Sequence, residues 1–331
     1  MINMRLRGIA KRVVSVLPNK QIRKYLRKKF YLKDIPYTHY GIRYFKNVKD
    51  GNRIILETLQ KGEPCLVTRF GGTELKCVDW FYRHRHDINI TYPKSVVDKM
   101  KFNGGFFKPD NDLLTRFCCD FIRIIPNIDI LGVINFWGNT EEILMEKYNQ
   151  QTELVEFLSI GNQPHFDDEP WTQYLEGKKV LVIHPFADTI ISQYKKREKL
   201  FKNPKVLPKF DLKVIKAVQG LGGSKEVEQY QNWFDALESM YQEIDKTDFD
   251  IALIGAGAYG IFLGDYIKRK GKQAVHIGGD LQILFGIKGT RWNDRDIGKK
   301  VYNKYWVEVD EKYKPKTLKG FLKAEGNAAY W

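Results

Sequence analysis

The chain has 331 residues, enough for one large or two small domains with a sizeable core. Hydrophobic residues make up 43% of it and charged residues 29%, which is typical of a globular, soluble protein. No apolar run approaches the ~20 residues that span a bilayer, and the N-terminus lacks the features of a secretory signal. The cysteines (Cys65, Cys77, Cys118 and Cys119) have no metal-finger spacing, and their apolar neighbours predict reduced core residues in a cytoplasmic protein.

The net charge of +15 is concentrated at the N-terminus. Residues 1–33 contain eleven Lys or Arg and no Asp or Glu, so only +4 remains for the rest of the chain. A body that is only mildly basic argues against a general nucleic-acid-binding surface, where basic and aromatic residues spread over the fold. We therefore expect no nucleic-acid partner.

The first part of the sequence predicts a basic amphipathic extension over 1–50, followed by a single α/β domain over 51–331. Apolar residues recur at helical spacing over 2–17, and a second basic segment follows over 20–31. Basic amphipathic helices bind anionic membrane surfaces, which predicts a peripheral protein on the inner face of the membrane through residues 1–31. The alternative is a helix that docks on its own domain with its basic face in solvent.

Short apolar runs alternate with helical patterns along the rest of the chain. We predict strands near residues 65, 129, 181, 214, 252 and 275. We predict helices over 51–61, 73–84, 111–125, 140–149, 169–176, 188–200, 225–245 and up to Arg269, while periodicity over 153–160 leaves strand and short helix open. This alternation is typical of an α/β fold with a Rossmann-like, doubly wound, largely parallel sheet and helices on both faces. Ligands bind such sheets beyond the carboxyl ends of the strands.

The stretch Cys65–Leu75 places charged residues and glycines at one such strand end. A short apolar strand leads into the turn Arg69–Gly72, and a helical pattern follows at once. We expect Thr73 to cap that helix, whose first N–H groups would then favour an anion. Arg69 and Glu74 flank the turn, either as part of a functional site or as a structural ion pair.

The same turn resembles the signature of GT-D glycosyltransferases, bacterial enzymes of surface-glycan assembly. That family typically reads Arg-Phe-Gly-Asp-Gly-Glu, in which an Asp-x-Glu pair helps to hold a metal ion and the nucleotide sugar. Arg69, Phe70, Gly71 and Glu74 match this pattern, whereas Gly72 stands where the family has Asp. The resemblance implies a nucleotide-sugar donor and a Mn²⁺ or Mg²⁺ ion, with Glu74 as the one remaining metal-binding carboxylate of the pair.

Later turns offer further candidate sites. Residues Gly255–Gly260 spell G-x-G-x-x-G between a strand and a helix, and Asp280 lies 25 residues after Gly255, near where a dinucleotide fold places its ribose-binding acid. Glycine pairs at 222–223 and 278–279 also follow predicted strands. The resemblance extends over Gly255 to Trp292 and to the closing Ala329-Tyr330-Trp331, and it implies that Trp331 folds back to stack on a base or a sugar. The alternative for Trp331 is a frayed terminus.

His184 ends a confident strand, and its role is open. It is a candidate for phosphate binding or acid–base catalysis, or for a structural histidine satisfied by the backbone under its loop. The candidate catalytic residues are Arg69, Glu74 and His184. The candidate donor-binding residues are Gly71, Gly72, Thr73, Asp188, Gly255, Gly257, Tyr259, Gly260, Gly279, Asp280 and Trp331. The segment Asn103–Phe107 is either an acceptor loop or a simple turn.

These observations favour a glycosyltransferase that moves a sugar from a nucleotide sugar, with a UDP-sugar as the leading candidate, to a glycan or lipid-linked acceptor. Arg69 would offset the charge on the leaving diphosphate, and Glu74 would contact a metal or sugar hydroxyls or serve as the general base. One alternative is an NAD- or S-adenosylmethionine-dependent enzyme built on Gly255–Gly260. Another is a non-enzymatic membrane- or polysaccharide-binding scaffold.

Overall fold

A computed structural model of the chain describes residues 39–40, 43–134, 140–220 and 227–313. The predictions for residues 1–31, for the glycine pair 222–223 and for Trp331 lie outside the described residues. Within them, no helix combines the length and apolarity needed to cross a bilayer.

A seven-stranded, all-parallel sheet forms the centre of the fold, in the order β5-β4-β3-β9-β8-β6-β7. Its strands are β3 (Leu66–Thr68), β4 (Ile130–Val133), β5 (Glu153–Glu156), β6 (Lys179–His184), β7 (Asp211–Lys216), β8 (Ile251–Ile254) and β9 (Gln273–His276). A separate antiparallel pair, β1 (His39–Tyr40) and β2 (Arg43–Tyr44), precedes the sheet. All six predicted strands are confirmed, and the open segment 153–160 is resolved as β5 followed by a short helix.

Helices connect the strands. They are α1 (Val48–Gln60), α2 (Gly72–His84), α3 (Lys94–Phe102), α4 (Asn111–Ile124), α5 (Thr140–Tyr148), α6 (Leu158–Gly161), α7 (Ala187–Tyr194), α8 (Trp233–Asp245), α9 (Gly260–Arg269), α10 (Leu281–Leu284), α11 (Thr290–Asn293) and α12 (Asp296–Lys300). Residues 45–50, which the sequence placed in the extension, belong to the folded body: Phe45 is buried, and the backbone of Lys46 pairs with β5.

Several predicted helix boundaries are wrong. The predicted helix 225–245 begins only at Trp233, because the Asn232 side chain accepts hydrogen bonds from the backbone N–H groups of the first turn. The predicted helix 188–200 ends at Tyr194 and is followed by a 3-10 turn, and the predicted helix 169–176 is the 3-10 segment Trp171–Leu175. Thr73 is not a cap: Gly71 occupies that position, and Thr73 lies inside the first turn of α2.

Two hydrophobic cores cover the two faces of the sheet. Successive strand residues point to opposite faces, so Leu181 and Ile183 pack with α2, α4, α8 and α9, whereas Val180 and Val182 pack with α1 and α7. Strands buried on both faces are continuous apolar runs in the sequence, and these runs are the pattern from which the strands were predicted. The structure therefore confirms a doubly wound α/β fold of Rossmann-like type.

The strand order fixes where a ligand can bind. The chain runs from β3 outward to β4 and β5, and the later strands build the other half of the sheet, so the winding changes direction beside β3 and β9. Four neighbouring strands, β3, β9, β8 and β6, all end at the same edge because the sheet is parallel. Their carboxyl-end loops meet at the place where open α/β sheets bind ligands.

Candidate active site

A cavity of about 620 Å³ opens at this edge. Its walls include residues from the loops after all four central strands and from α2, α3 and the turns before α4 and after β7. The polar and glycine residues that line it are Arg69, Gly71, Gly72, Thr73, Glu74, Lys76, Lys99, Asn103, Gly104, Gly105, His184, Gln219, Gly220, Gly255, Gly257, Tyr259, His276, Gly278, Gly279, Asp280, Gln282, Arg291 and Arg295. The volume lies within the range of small-molecule sites, which commonly run from about 300 to 1,000 Å³.

The cavity wall carries more positive than negative charge. Five cationic side chains line it, against two carboxylates, Glu74 and Asp280. The cations are Arg69, Lys76, Lys99, Arg291 and Arg295. A concave site lined by one sign of charge raises the local concentration of ligands of the opposite sign, so the electrostatics favour an anionic ligand.

Arg69 is positioned from the neighbouring strand β9. Its Nε donates a hydrogen bond to the carbonyl oxygen of Ile277 at 3.2 Å, and its guanidinium lies against Gly278. A side chain at position 278 would place its Cβ 2.9 Å from Arg69 Cζ, and Gly278 also has φ of +75°, which glycine adopts readily. Gly278 therefore leaves the space that the guanidinium occupies in the cavity wall.

Glu74 lies in the first turn of α2 and is only 9% exposed. Its carboxylate lies over Gly71: a Cβ at position 71 would be 2.6 Å from Glu74 Cδ. The N-cap residue Gly71 has no side chain with which to cap α2, and the first-turn N–H groups of the helix lie at its N-terminal end, next to Gly71, Gly72 and Thr73. The predicted turn thus brings a carboxylate, N–H groups and the Arg69 cation to one wall.

Lys76 and Lys99 approach each other from α2 and α3. Burial and then the neighbouring charge of Lys99 lower the pKa of Lys76 to about 8. Lys76 is therefore still largely protonated at neutral pH, and the two ammonium groups form a compact positive region in the wall.

His184 is a buried, neutral ring. Its Nδ1 accepts a hydrogen bond from the backbone N–H of Phe186 at 3.0 Å, so Nε2 carries the hydrogen. Burial lowers the pKa of His184 to about 3, which keeps the ring uncharged at neutral pH. These observations favour a structural role for His184, in which a backbone N–H group satisfies Nδ1. The ring then offers a hydrogen-bond donor, Nε2–H, in the cavity wall, and its low pKa does not suit acid–base catalysis.

The glycines of the G-x-G-x-x-G turn mostly serve internal packing. A Cβ at Gly255 would lie 2.7 Å from His184 Cδ2, and a Cβ at Gly260 would lie 2.7 Å from His276 Cε1. Two of the three glycines thus make room for imidazole rings, whereas Gly257, with φ of +55°, is required by the turn itself. This packing accounts for the motif without a dinucleotide.

Tyr259 follows this turn and combines an aromatic contact with an unsatisfied hydroxyl. Its ring stacks on Trp233 with centroids 4.4 Å apart, and it is almost fully buried. Its hydroxyl oxygen has no hydrogen-bond partner within the described part of the chain. Buried polar atoms are rarely left without a partner, so Tyr259 marks a place in the wall where a further polar group is expected.

The remaining predicted residues fall into three groups. Gly279 and Asp280 line the cavity, and Asp280 accepts hydrogen bonds from Trp292 Nε1 at 2.9 Å and from Asn162 Nδ2 at 3.3 Å. Asp188 does not line it: this carboxylate is exposed, and an ion pair with Lys312 at 2.7 Å lowers its pKa. Trp331 lies outside the described residues.

The carboxylates of the cavity do not fit a metal ion held by the protein alone. Among the described residues, no group of three or more His, Cys, Asp or Glu side chains is arranged to hold a metal. Gly72, two residues before Glu74, supplies no second carboxylate, and both oxygens of Asp280 already accept hydrogen bonds. The donor set suits an anion better than a cation.

Sequence reasoning missed most of the cations. Lys76 and Lys99 lie on two helices that only the folded chain brings together, and no sequence motif marked Arg291 or Arg295 as part of a site. His276 at the end of β9 was also missed, although Thr68 Oγ1 lies 2.9 Å from its Nδ1 and its ring lines the cavity. The available signal was a histidine at the end of a predicted strand, the same signal that made His184 a candidate.

Comparisons with known proteins add little. No protein-family model matches the chain, and no curated protein matches it. The chain is similar to a solved structure described as "Selenomethionine substituted structure of domain of unknown function 1792 (DUF1792)", with 14% sequence identity over 71% of this chain and 79% of that one, and a TM-score of 0.37. Similarity at this level carries no argument about the function of this chain.

Proposed function

We propose that the protein is a glycosyltransferase that takes a sugar from a nucleotide sugar and passes it to a glycan or lipid-linked acceptor in surface-polysaccharide assembly. The observation that carries this proposal is the cation-rich cavity at the carboxyl edge of the sheet, built around the turn Arg69–Glu74. The resemblance of that turn to the GT-D signature supports the same reading.

The electrostatics of the cavity suit the departure of a nucleoside diphosphate. As the bond from the sugar to the diphosphate breaks, negative charge accumulates on the leaving phosphate oxygen. Arg69, the lysine pair and the first N–H groups of α2 lie along the cavity wall, where they would stabilise this charge, and the hydrogen bond to Ile277 already holds Arg69 in place. The neutral His184 adds a hydrogen-bond donor at the same edge.

Glu74 is the residue we assign to the donor sugar. Its buried carboxylate is an acceptor for sugar hydroxyl groups, and its position is set by Gly71. The alternative role, as general base for the acceptor hydroxyl, uses the same carboxylate and differs in which substrate it faces. In either role, Glu74→Gln should abolish transfer while the fold stays intact.

A thermal-shift panel tests the proposed donor class. UDP, GDP, CMP, dTDP, NAD and S-adenosylmethionine are each added with and without Mn²⁺. A ligand at a hundred times its Kd stabilises the folded chain by about 2.7 kcal/mol, which raises the melting temperature of a domain of this size by about 5 °C. We expect the shift from a nucleoside diphosphate. A shift from NAD or S-adenosylmethionine alone would favour the alternative enzyme built on Gly255–Gly260.

We further propose that residues 1–31 hold the enzyme on the inner face of the membrane, close to lipid-linked acceptors. The support is the density of Lys and Arg in this segment, each of which contributes roughly 1 kcal/mol near an anionic lipid surface. Sedimentation with anionic liposomes tests it: deletion of residues 1–31 should release the protein. A truncated protein that still sediments with the liposomes would refute this assignment.

A further inference from the structure

Two lysines of the cavity wall lie close enough for their positive charges to repel each other. Lys76 lies one turn into α2, Lys99 lies near the end of α3, and both line the cavity. The charge of Lys99 is one of the causes that lower the pKa of Lys76. Like charges held together destabilise the protonated forms, and an anion bound between them removes that cost.

The same wall is poor in metal ligands. Glu74 and Asp280 are its two carboxylates, and Asp280 already accepts hydrogen bonds from Trp292 and Asn162. Gly72, the first residue of α2, has no side chain that could act as a metal ligand. A diphosphate in this cavity would therefore meet ammonium and guanidinium groups rather than a protein-held cation.

We propose that Lys76 and Lys99 act as a paired cation that binds the donor diphosphate directly and supplies the charge neutralisation for which other sites use a divalent metal. The inference rests on the proposed function, since it assumes a diphosphate in the cavity. Lysine ammonium groups bind phosphate oxygens as point charges, and Arg69 on the adjoining turn adds a planar group with several donors.

Calorimetric titration with inorganic pyrophosphate tests this assignment without a known sugar. The titration is made in EDTA and again in excess Mg²⁺. The wild-type protein should bind in EDTA, with a Kd within about threefold of the value in Mg²⁺. Lys99→Ala should weaken binding in EDTA by about 10- to 100-fold, the usual effect of removing one charged hydrogen-bonding partner. Lys99→Arg, which keeps the charge, should retain most of the affinity.

The matched control is Lys101→Ala. Lys101 is exposed on the same helix as Lys99 and does not line the cavity, so its removal changes the net charge equally without touching the pair. It should leave the Kd unchanged. Equal losses in Lys99→Ala and Lys101→Ala would show a general charge effect and overturn the assignment, as would wild-type affinity in Lys99→Ala.

The outcomes separate this inference from the proposed function. Binding of pyrophosphate only in Mg²⁺ would refute the lysine pair and leave a metal-dependent glycosyltransferase standing. Absence of binding by pyrophosphate and by every nucleoside diphosphate, with or without metal, would refute both.

Gly72→Asp gives an independent check. Gly72 has a helical backbone without positive φ, so aspartate fits its conformation. The new carboxylate should weaken pyrophosphate binding in EDTA and make binding depend on Mg²⁺. A Gly72→Asp protein that binds pyrophosphate in EDTA as the wild type does would contradict the electrostatic account.

Discussion

A methyl group added at position 71 tests whether the exact position of the Glu74 carboxylate governs the reaction. Gly71 has φ of −79° and ψ of 139°, which alanine adopts without strain. The Cβ of alanine would lie 2.6 Å from Glu74 Cδ and closer still to its Oε2, whereas ordinary contacts begin at 3.4 Å, so the carboxylate must move by at least about 0.8 Å. A misplacement of about 1 Å costs about 100-fold in rate when the displaced group acts on the reacting atoms.

The assay is a double-mutant cycle. Nucleotide release from the donor sugar and the donor Kd are measured for the wild type, Gly71→Ala, Glu74→Ala and the double variant. Gly71→Ala should lower kcat/KM by about 100-fold and the free energy of unfolding by no more than about 1–3 kcal/mol. In the Glu74→Ala background the same change should cost little more, because the carboxylate it displaces is gone. A fully active Gly71→Ala enzyme, or equal losses in both backgrounds, would refute the reasoning.

Three further predictions concern buried and titratable groups. Burial lowers the pKa of His165, His184 and His276 to about 3 in the folded chain. Below pH 6.5 the unfolded chain therefore takes up protons that the folded chain does not. The free energy of unfolding, measured by urea titration, should fall by about 2 kcal/mol per histidine from pH 7 to pH 5. Anion binding should raise the pKa of Lys76 from about 8, so pyrophosphate should bind with proton uptake at pH 8.5, as calorimetry in buffers of different ionisation enthalpy would show. Tyr259→Phe should not lower the melting temperature, because its buried hydroxyl has no partner among the described residues.

Each of these predictions has a contradicting result. Stability that stays constant from pH 7 to pH 5 would mean that the buried histidines titrate normally. Pyrophosphate binding at pH 8.5 without proton uptake would place the anion away from Lys76. A clear loss of stability in Tyr259→Phe would show that the hydroxyl makes a bond within the folded protein.

The strands were predictable because the pattern that marks them lies within a few consecutive residues. A strand buried on both faces needs a continuous apolar run, and the runs near 181 and 252 end in turns rich in glycine or proline. The helix starts were less predictable, since caps depend on side-chain geometry. With Asn232 as its cap, α8 begins eight residues later than expected, and Gly71 takes the position expected for Thr73.

The cavity was only partly predictable, because it depends on strand order. The turn at Arg69 and the loop at Gly278 are more than 200 residues apart in sequence, and they meet only because β9 inserts beside β3. Sequence position alone also misplaced Asp188: it follows β6 closely, as predicted, but its side chain turns away to Lys312. Glycine spacing could not reveal that imidazole rings fill the space beside Gly255 and Gly260.

The most direct test of the proposed function is nucleotide release from a panel of UDP-, GDP-, CMP- and dTDP-sugars, with the wild type and Glu74→Gln assayed side by side. We expect that sugars on one of these nucleotides are consumed, and that Glu74→Gln lowers the rate by at least about 100-fold at an unchanged melting temperature. Consumption of no sugar nucleotide, or full activity in Glu74→Gln, would contradict it.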